Sequence, residues 1–190
     1  MTENYFTDLT FSNKDFSKKP LQKGEYVDCV FEHCTFENGH VSAIQFVDCE
    51  FIGCNFSNTR IKETAFKNTH FENCKMIGLK WFECDPFLLQ VSFKGCQLSL
   101  SSFYRLKIAN TPFKNCNLEE VDFTETVLTA AKFIDSSLSK AVFDGTHLQK
   151  ADFTTAKNYS INPAKNHIKA AKFSREGLLG LLESYQIVVA

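Results

Sequence analysis

Eight cysteines are the plainest candidates for chemistry in this chain of 190 residues, at 29, 34, 49, 54, 74, 84, 96 and 116. Thiolates pair oxidatively or bind soft cations, so a thiol-rich chain first raises disulfide and metal-site readings. The spacing points elsewhere. Cys29 and Cys34 are five residues apart, and the pair recurs twenty residues on as Cys49 and Cys54. A thiol recurring on a fixed lattice behaves as a small buried hydrophobe. The eight are therefore expected to be reduced and structural, and unpaired buried thiols suit a reducing compartment, the cytoplasm. No secretory signal or membrane-length apolar run is read in the sequence.

The remaining reactive side chains are no more suggestive of an enzyme. His33, His40, His70, His147 and His167 show no close ligand spacing with one another, and neither a phosphate-binding glycine loop nor a nucleophile elbow occurs. No catalytic residue, cofactor or metal is expected. The carboxylates are more informative. Between Gly24 and Thr59 stand Glu25, Asp28, Glu32, Glu37, Asp48 and Glu50, with no Lys or Arg. Asp8, Asp28 and Asp48 are twenty residues apart, so a twenty-residue coil stacks them about 4.8 Å from one another. In water such neighbours repel by no more than about 1 kcal/mol, which a solvated face tolerates. Two readings stay open: solubility with protection of strand edges, or a docking face made by Glu25, Asp28, Glu32, Asp48 and Glu50. The net charge of −1 argues against a general nucleic-acid binder.

The lattice itself must position these groups. Phe11, Phe31, Phe51 and Phe71 recur every twenty residues, Phe93 follows after twenty-two, and Phe113, Phe133, Phe153 and Phe173 resume the spacing. A finer period of five runs beneath. A large apolar residue occupies every fifth position from 6 to 81 and, after a shift of two, from 88 to 153. Neither 3.6 nor 2.0 divides that pattern, so it is neither an amphipathic helix nor an ordinary strand series. Two residues before most centres sits a compact side chain: the cysteines, Thr59, Thr64, Thr69, Ser101, Ser136, Ala131, Ala141 or Ala151. Self-similarity at twenty residues means a solenoid, each coil burying its apolar face against the next.

Motifs such as Ala151-Asp152-Phe153-Thr154-Thr155 and Cys116-Asn117-Leu118-Glu119-Glu120 resemble the pentapeptide repeat family, over nearly all of residues 4 to 175. The resemblance implies an all-β solenoid: a right-handed quadrilateral β-helix with four pentapeptides per coil and a short C-terminal α-helix. Its handedness comes from the resemblance alone. Family members with a C-terminal helix and dimerising tail include the quinolone-resistance proteins and their mycobacterial relatives. These act as rod-shaped mimics of a DNA duplex, binding DNA gyrase or topoisomerase IV. What carries over is the Tyr185-Gln186-Ile187-Val188-Val189 tail, the leucine-rich helix and the acidic coils at 25 to 50. The resemblance thus adds a second function to the plain one. The chain is either a protein-interaction scaffold, or a DNA mimic that binds gyrase or topoisomerase IV and modulates quinolone susceptibility.

Two segments are expected, 1–173 as repeats and 174–190 as a capping and dimerising end. The first coil reads as irregular, with Leu9, Lys14 and Lys19 at the small positions and Pro20 interrupting. Residues 82–92 break the register. Phe82 and Phe87 fall off the lattice there, either folding back on the prism or forming a contact patch for a partner. Residues 158–167 lose two centres and read as a loop. Ser174 is placed to cap a helix reaching about Tyr185, with Leu178, Leu181, Leu182 and Tyr185 on one stripe. Ile187 to Val189 read as a short strand. Spare apolar surface at Leu179, Tyr185, Ile187 and Val189 suggests a tail-to-tail homodimer. The lysines and arginines after residue 92 fall in several columns and read as ordinary solvated surface.

Overall fold

The computed structural model describes residues 4–187. The chain winds as a four-sided β-solenoid. One sheet stacks Tyr5–Thr7, Glu25–Val27, Gln45–Val47 and Ala65–Lys67; a second stacks nine strands from Thr10–Ser12 to Lys172–Phe173. All pairing is parallel. The register steps by twenty, as in Phe11↔Phe31 and Phe31↔Phe51, and by twenty-two at Phe71↔Phe93. Single bridges such as Thr35↔Asn55 and His40↔Arg60 hold the other two faces.

The corners explain the period of five. The residue two places after most centres takes a left-handed conformation, as at Asp28, Asp48, Asn58, Asn73 and Asn115. Asn and Asp tolerate that region because the short polar side chain bonds locally, and Gly53, Gly78 and Gly95 fill the same slot freely. The chain therefore turns every fifth residue, and Asp8, Asp28 and Asp48 are three successive corners of one edge.

Inside, the nine phenylalanines form one column. Successive rings lie 4.6–5.5 Å apart and within 13° of parallel, and the stack runs unbroken through the register shift at Phe71 and Phe93. The compact slot does more than save space. Cys34, Cys54 and Cys74 donate to the carbonyls of Phe11, Phe31 and Phe51 in the preceding coil, each at 3.2 Å. Thr59, Thr64 and Thr126 make the same bond with hydroxyls at 2.8–2.9 Å. The carbonyls that accept from Thr59, Thr64 and Thr126 also accept the backbone N–H of Gly39, Ile44 and Leu106, so the donor in this slot fills the second lone pair of a buried oxygen and ties one coil to the next.

At the break, Trp81–Glu83 forms a 3₁₀ turn and Trp81 stacks on Phe103 at 5.4 Å. The Asp85 carboxylate then accepts the amide N–H of Phe87 at 2.9 Å. The lattice centre expected at 88 is displaced: Leu88 takes a left-handed conformation and is 64% exposed, while Leu89 packs against the core. The two extra residues are absorbed as a bulge on one face, so the other faces keep their stacking.

The first coil is more regular than its small-position residues predict, with strands at Tyr5–Thr7 and Thr10–Ser12. Leu9 and Lys14 are exposed at the open end of the prism beside Phe6, Phe11 and Phe16, which are only partly buried because no coil lies beneath them. Across 158–167 the winding also persists. Tyr159 and Ile161 are buried, His147 pairs in register with His167, and the Asn166 amide donates to the Phe143 carbonyl at 3.0 Å. The C-terminal helix is shorter than expected, one α-turn at Leu179–Leu182 between two 3₁₀ turns. The Ser174 hydroxyl does accept from the Gly177 N–H at 3.0 Å. Of the leucine stripe only Leu181 packs against the core, and Leu178 is exposed.

This end is seated on Tyr159. The Ile161 N–H donates to the Gly180 carbonyl at 2.9 Å, and a methyl group on Gly180 would lie 2.1 Å from the Tyr159 carbonyl oxygen. A rigid backbone atom cannot yield. Gly180→Ala is expected to undock residues 174–187 while leaving the coils intact, at a cost of about 1–3 kcal/mol. Limited proteolysis should then cut the variant within that segment and spare the coils.

Candidate interaction surface

The structure disposes of the thiols first. All eight cysteines are free and buried, including Cys84 in the register break. Burial pushes the Cys49 and Cys84 thiols up to about 12, so thiolate is scarce at neutral pH. The native protein should resist a thiol reagent for hours and react at all eight sites after denaturation. Rapid native labelling of several would contradict the packing.

Among the described residues no three His, Cys, Asp or Glu side chains gather as a metal site. One pairing was invisible at the level of local spacing: the rings of His147 and His167 stack at 4.4 Å. Their separation of twenty residues is the coil repeat, and reading the lattice column by column would have found it.

The acidic group is spread over two faces and the corner region: Glu25 stands on the four-stranded sheet, Glu32 and Glu50 on the nine-stranded sheet, and Asp28 and Asp48 at a corner. Asp28, Asp48 and Glu50 are exposed, and Glu25 and Glu32 half-buried, on the first coils. Their oxygens meet only neutral donors where they are bonded: Ser12 donates to Glu32 at 3.1 Å and the Asn68 amide to Asp48 at 2.6 Å. Phe82 and Phe87 are exposed, at 43% and 66%, so neither folds back on the prism. Phe82 lies in the 3₁₀ turn and Phe87 in the bulge that follows. At the other end Leu179, Tyr185 and Ile187 are each more than half exposed, whereas Val189 and the strand expected at 187–189 lie largely outside the described residues.

The lysines of the second half are better organised than their scatter in the sequence indicates. On the nine-stranded sheet, one outward column runs Ser12, Glu32, Ile52, Glu72, Lys94, Lys114 and Ile134, and its neighbour carries Glu50 and His70, then Lys132, Asp152 and Lys172. Different columns thus share one face, acidic toward the first coil and basic toward the last. Glu72 and Lys94 bond across the change of sign at 2.8 Å.

A family model described as a pentapeptide repeat region matches residues 24–103 and 87–157, more than half of the chain. The chain belongs to the pentapeptide repeat family. Among solved structures of such proteins, it is similar to a trypsin-treated form of QnrB1, a plasmid-mediated fluoroquinolone resistance protein. That match has 14% identity over 96% of this chain and 99% of the other, with a TM-score of 0.54. The full-length form of QnrB1 matches at 16% identity over 97% and 100% of the two chains, with a TM-score of 0.45. HetL, a pentapeptide repeat protein involved in heterocyst differentiation regulation in the cyanobacterium Nostoc sp. strain PCC 7120, matches at 11% over 91% and 87%, with a TM-score of 0.38. No curated protein sequence matches. At these identities the likeness is one of fold, and the pentapeptide repeat architecture is what the chains share.

Proposed function

We propose that this pentapeptide repeat protein is a non-enzymatic, cytoplasmic interaction scaffold that docks a basic protein surface on its first three coils. The observation that carries the reading is the corner ladder Asp8, Asp28 and Asp48 with Glu25, Glu32 and Glu50 beside it, none within ion-pair distance of a base among the described residues. Other corners are filled by His33, Ala43, Leu100 and Lys150, so the fold does not require aspartate at three successive positions of one edge. Immobilised wild type should retain a protein from bacterial lysate at low salt that Asp28→Lys/Asp48→Lys does not. Identical retention by both would place docking elsewhere, with Phe82 and Phe87 as the next residues to replace.

A second reading is that the partner is DNA gyrase or topoisomerase IV and the acidic coils imitate duplex DNA. It is favoured by carboxylates stacked along one edge of a rigid rod. A duplex carries one negative charge per about 1.7 Å, so the imitation is confined to the first coils and ends where the face turns basic. Wild type added to a gyrase supercoiling assay should change supercoiling or relieve a quinolone, and Asp28→Lys/Asp48→Lys should not. No effect of the wild type on either enzyme removes this reading and leaves the scaffold.

The exposed Leu179, Tyr185 and Ile187 support a homodimer through the C-terminus. Truncation after Phe173 should then abolish a dimer that the full chain still forms in sedimentation at high salt.

A further inference from the structure

The polarised face has a geometry that the acidic ladder alone does not suggest. Toward the first coil it carries Asp8, Asp28, Glu32, Asp48 and Glu50; toward the last, Lys114, Lys132, Lys150 and Lys172. None of these nine side chains lies within 4.0 Å of an opposite charge among the described residues. Two acids interrupt the basic half: Asp135, at the corner after Ile134, and Asp152, which lies in register between Lys132 and Lys172. The Asp152 carboxyl is held below the usual range by the Thr154 hydroxyl first and by those two lysines last. The Glu72–Lys94 pair marks the midpoint. Beside it lies a groove of about 800 Å³, bordered by Asp48, Lys67 and His70 on one side and by Ala109 to Pro112 on the other, with the exposed Leu88 at its edge.

We propose that this face docks a second copy of the chain, antiparallel, about a two-fold axis through the Glu72–Lys94 pair. Such an axis reverses the order of coils and keeps each corner opposite the same corner of the partner. The acidic coils of each copy then meet the basic coils of the other, Glu72 meets Lys94 across the axis, and the two Leu88 side chains meet at the grooves. A two-fold interface must be self-complementary, and a surface whose halves carry opposite charge about a neutral centre meets that condition. The proposal does not rest on the functional reading above. Where both hold, a basic partner competes with the second copy for the same carboxylates.

Zero-length carbodiimide cross-linking of the full chain at low salt distinguishes this pairing from others. Asp28 and Lys132 lie five coils apart, roughly 24 Å in one molecule, too far for a direct amide. An Asp28–Lys132 or Asp8–Lys150 link is therefore intermolecular, and a mixture of ¹⁵N-labelled and unlabelled chains verifies it by mass. End-to-end association through the tail produces neither link. The expected result is both links at low salt and their loss at about 0.5 M salt, where exposed charges are screened within a few ångströms. Asp28→Lys/Glu50→Lys and Lys114→Glu/Lys132→Glu should each weaken self-association about tenfold or more, and mixing the two variants should restore a one-to-one complex. That rescue requires both variants to be folded. Absence of these links at several hundred micromolar, or variants that associate as the wild type does, would overturn the proposal. So would a lysine half that retains a DNA oligonucleotide while no link forms, since the basic coils would then serve an outside polyanion.

Discussion

Phe51→Ala is expected to destabilise the protein by about 3–5 kcal/mol, and Phe133→Ala by a similar amount. Phe51 is fully buried, stacked between Phe31 at 4.7 Å and Phe71 at 5.1 Å, with the edges of Phe46 and Phe56 at 5.1 Å on either side. Removing the ring leaves a hole that rigid coils cannot close, so a cavity cost adds to the lost burial. Phe11 makes the control: it stacks on Phe31 but has no coil beneath it and is only partly buried. Phe11→Ala should cost clearly less. Denaturant unfolding of the three variants checks this. Losses below about 1 kcal/mol at both interior sites would mean that the column does not hold the coils together.

Alkaline pH should unfold the protein through its thiols. A buried thiol whose folded pKa is raised favours the neutral form in the fold, so its contribution is whole below the unfolded pKa and disappears as pH rises toward the folded value. For Cys49 and Cys84 that window runs from the ordinary 9.0 up to about 12, with burial the largest cause for each. At about 1.4 kcal/mol per unit, each site places at most about 4 kcal/mol at risk. Thr69 shows that a hydroxyl serves in the slot of Cys49 one coil on, where it donates to Phe46. Cys49→Thr/Cys84→Thr should therefore lose less stability between pH 9 and 12 than wild type. Superimposable curves would show that these thiols do not drive the transition.

The lattice was legible in the sequence because the chain repeats one physical problem. Each coil needs the same inward centre, the same compact neighbour and the same left-handed corner, so Phe31, Cys34 and Asp28 each announce a column. What the lattice did not reveal came from breaks in it. Leu88 sits at a predicted centre yet faces solvent, because two inserted residues are absorbed on one face and Leu89 takes the inward place. Asn158 and Pro163 suggested a loop, but Tyr159 and Ile161 fill the interior from off-lattice positions. The polarised face was missed for a different reason. Lys114 and Lys132 belong to different columns, and only the folded register shows those columns side by side on one sheet.

The acidic coils as the docking surface are tested most directly by carboxyl footprinting of the protein bound to whatever its acidic face retains from lysate. Each exposed carboxylate is labelled in the free and bound states and read by mass spectrometry. The expected result is protection of Asp28, Asp48 and Glu50, with Glu119, Glu120 and Glu125 of the later coils labelled equally in both states. Protection confined to the later carboxylates, with Asp28 and Asp48 labelled as in the free protein, would contradict the account.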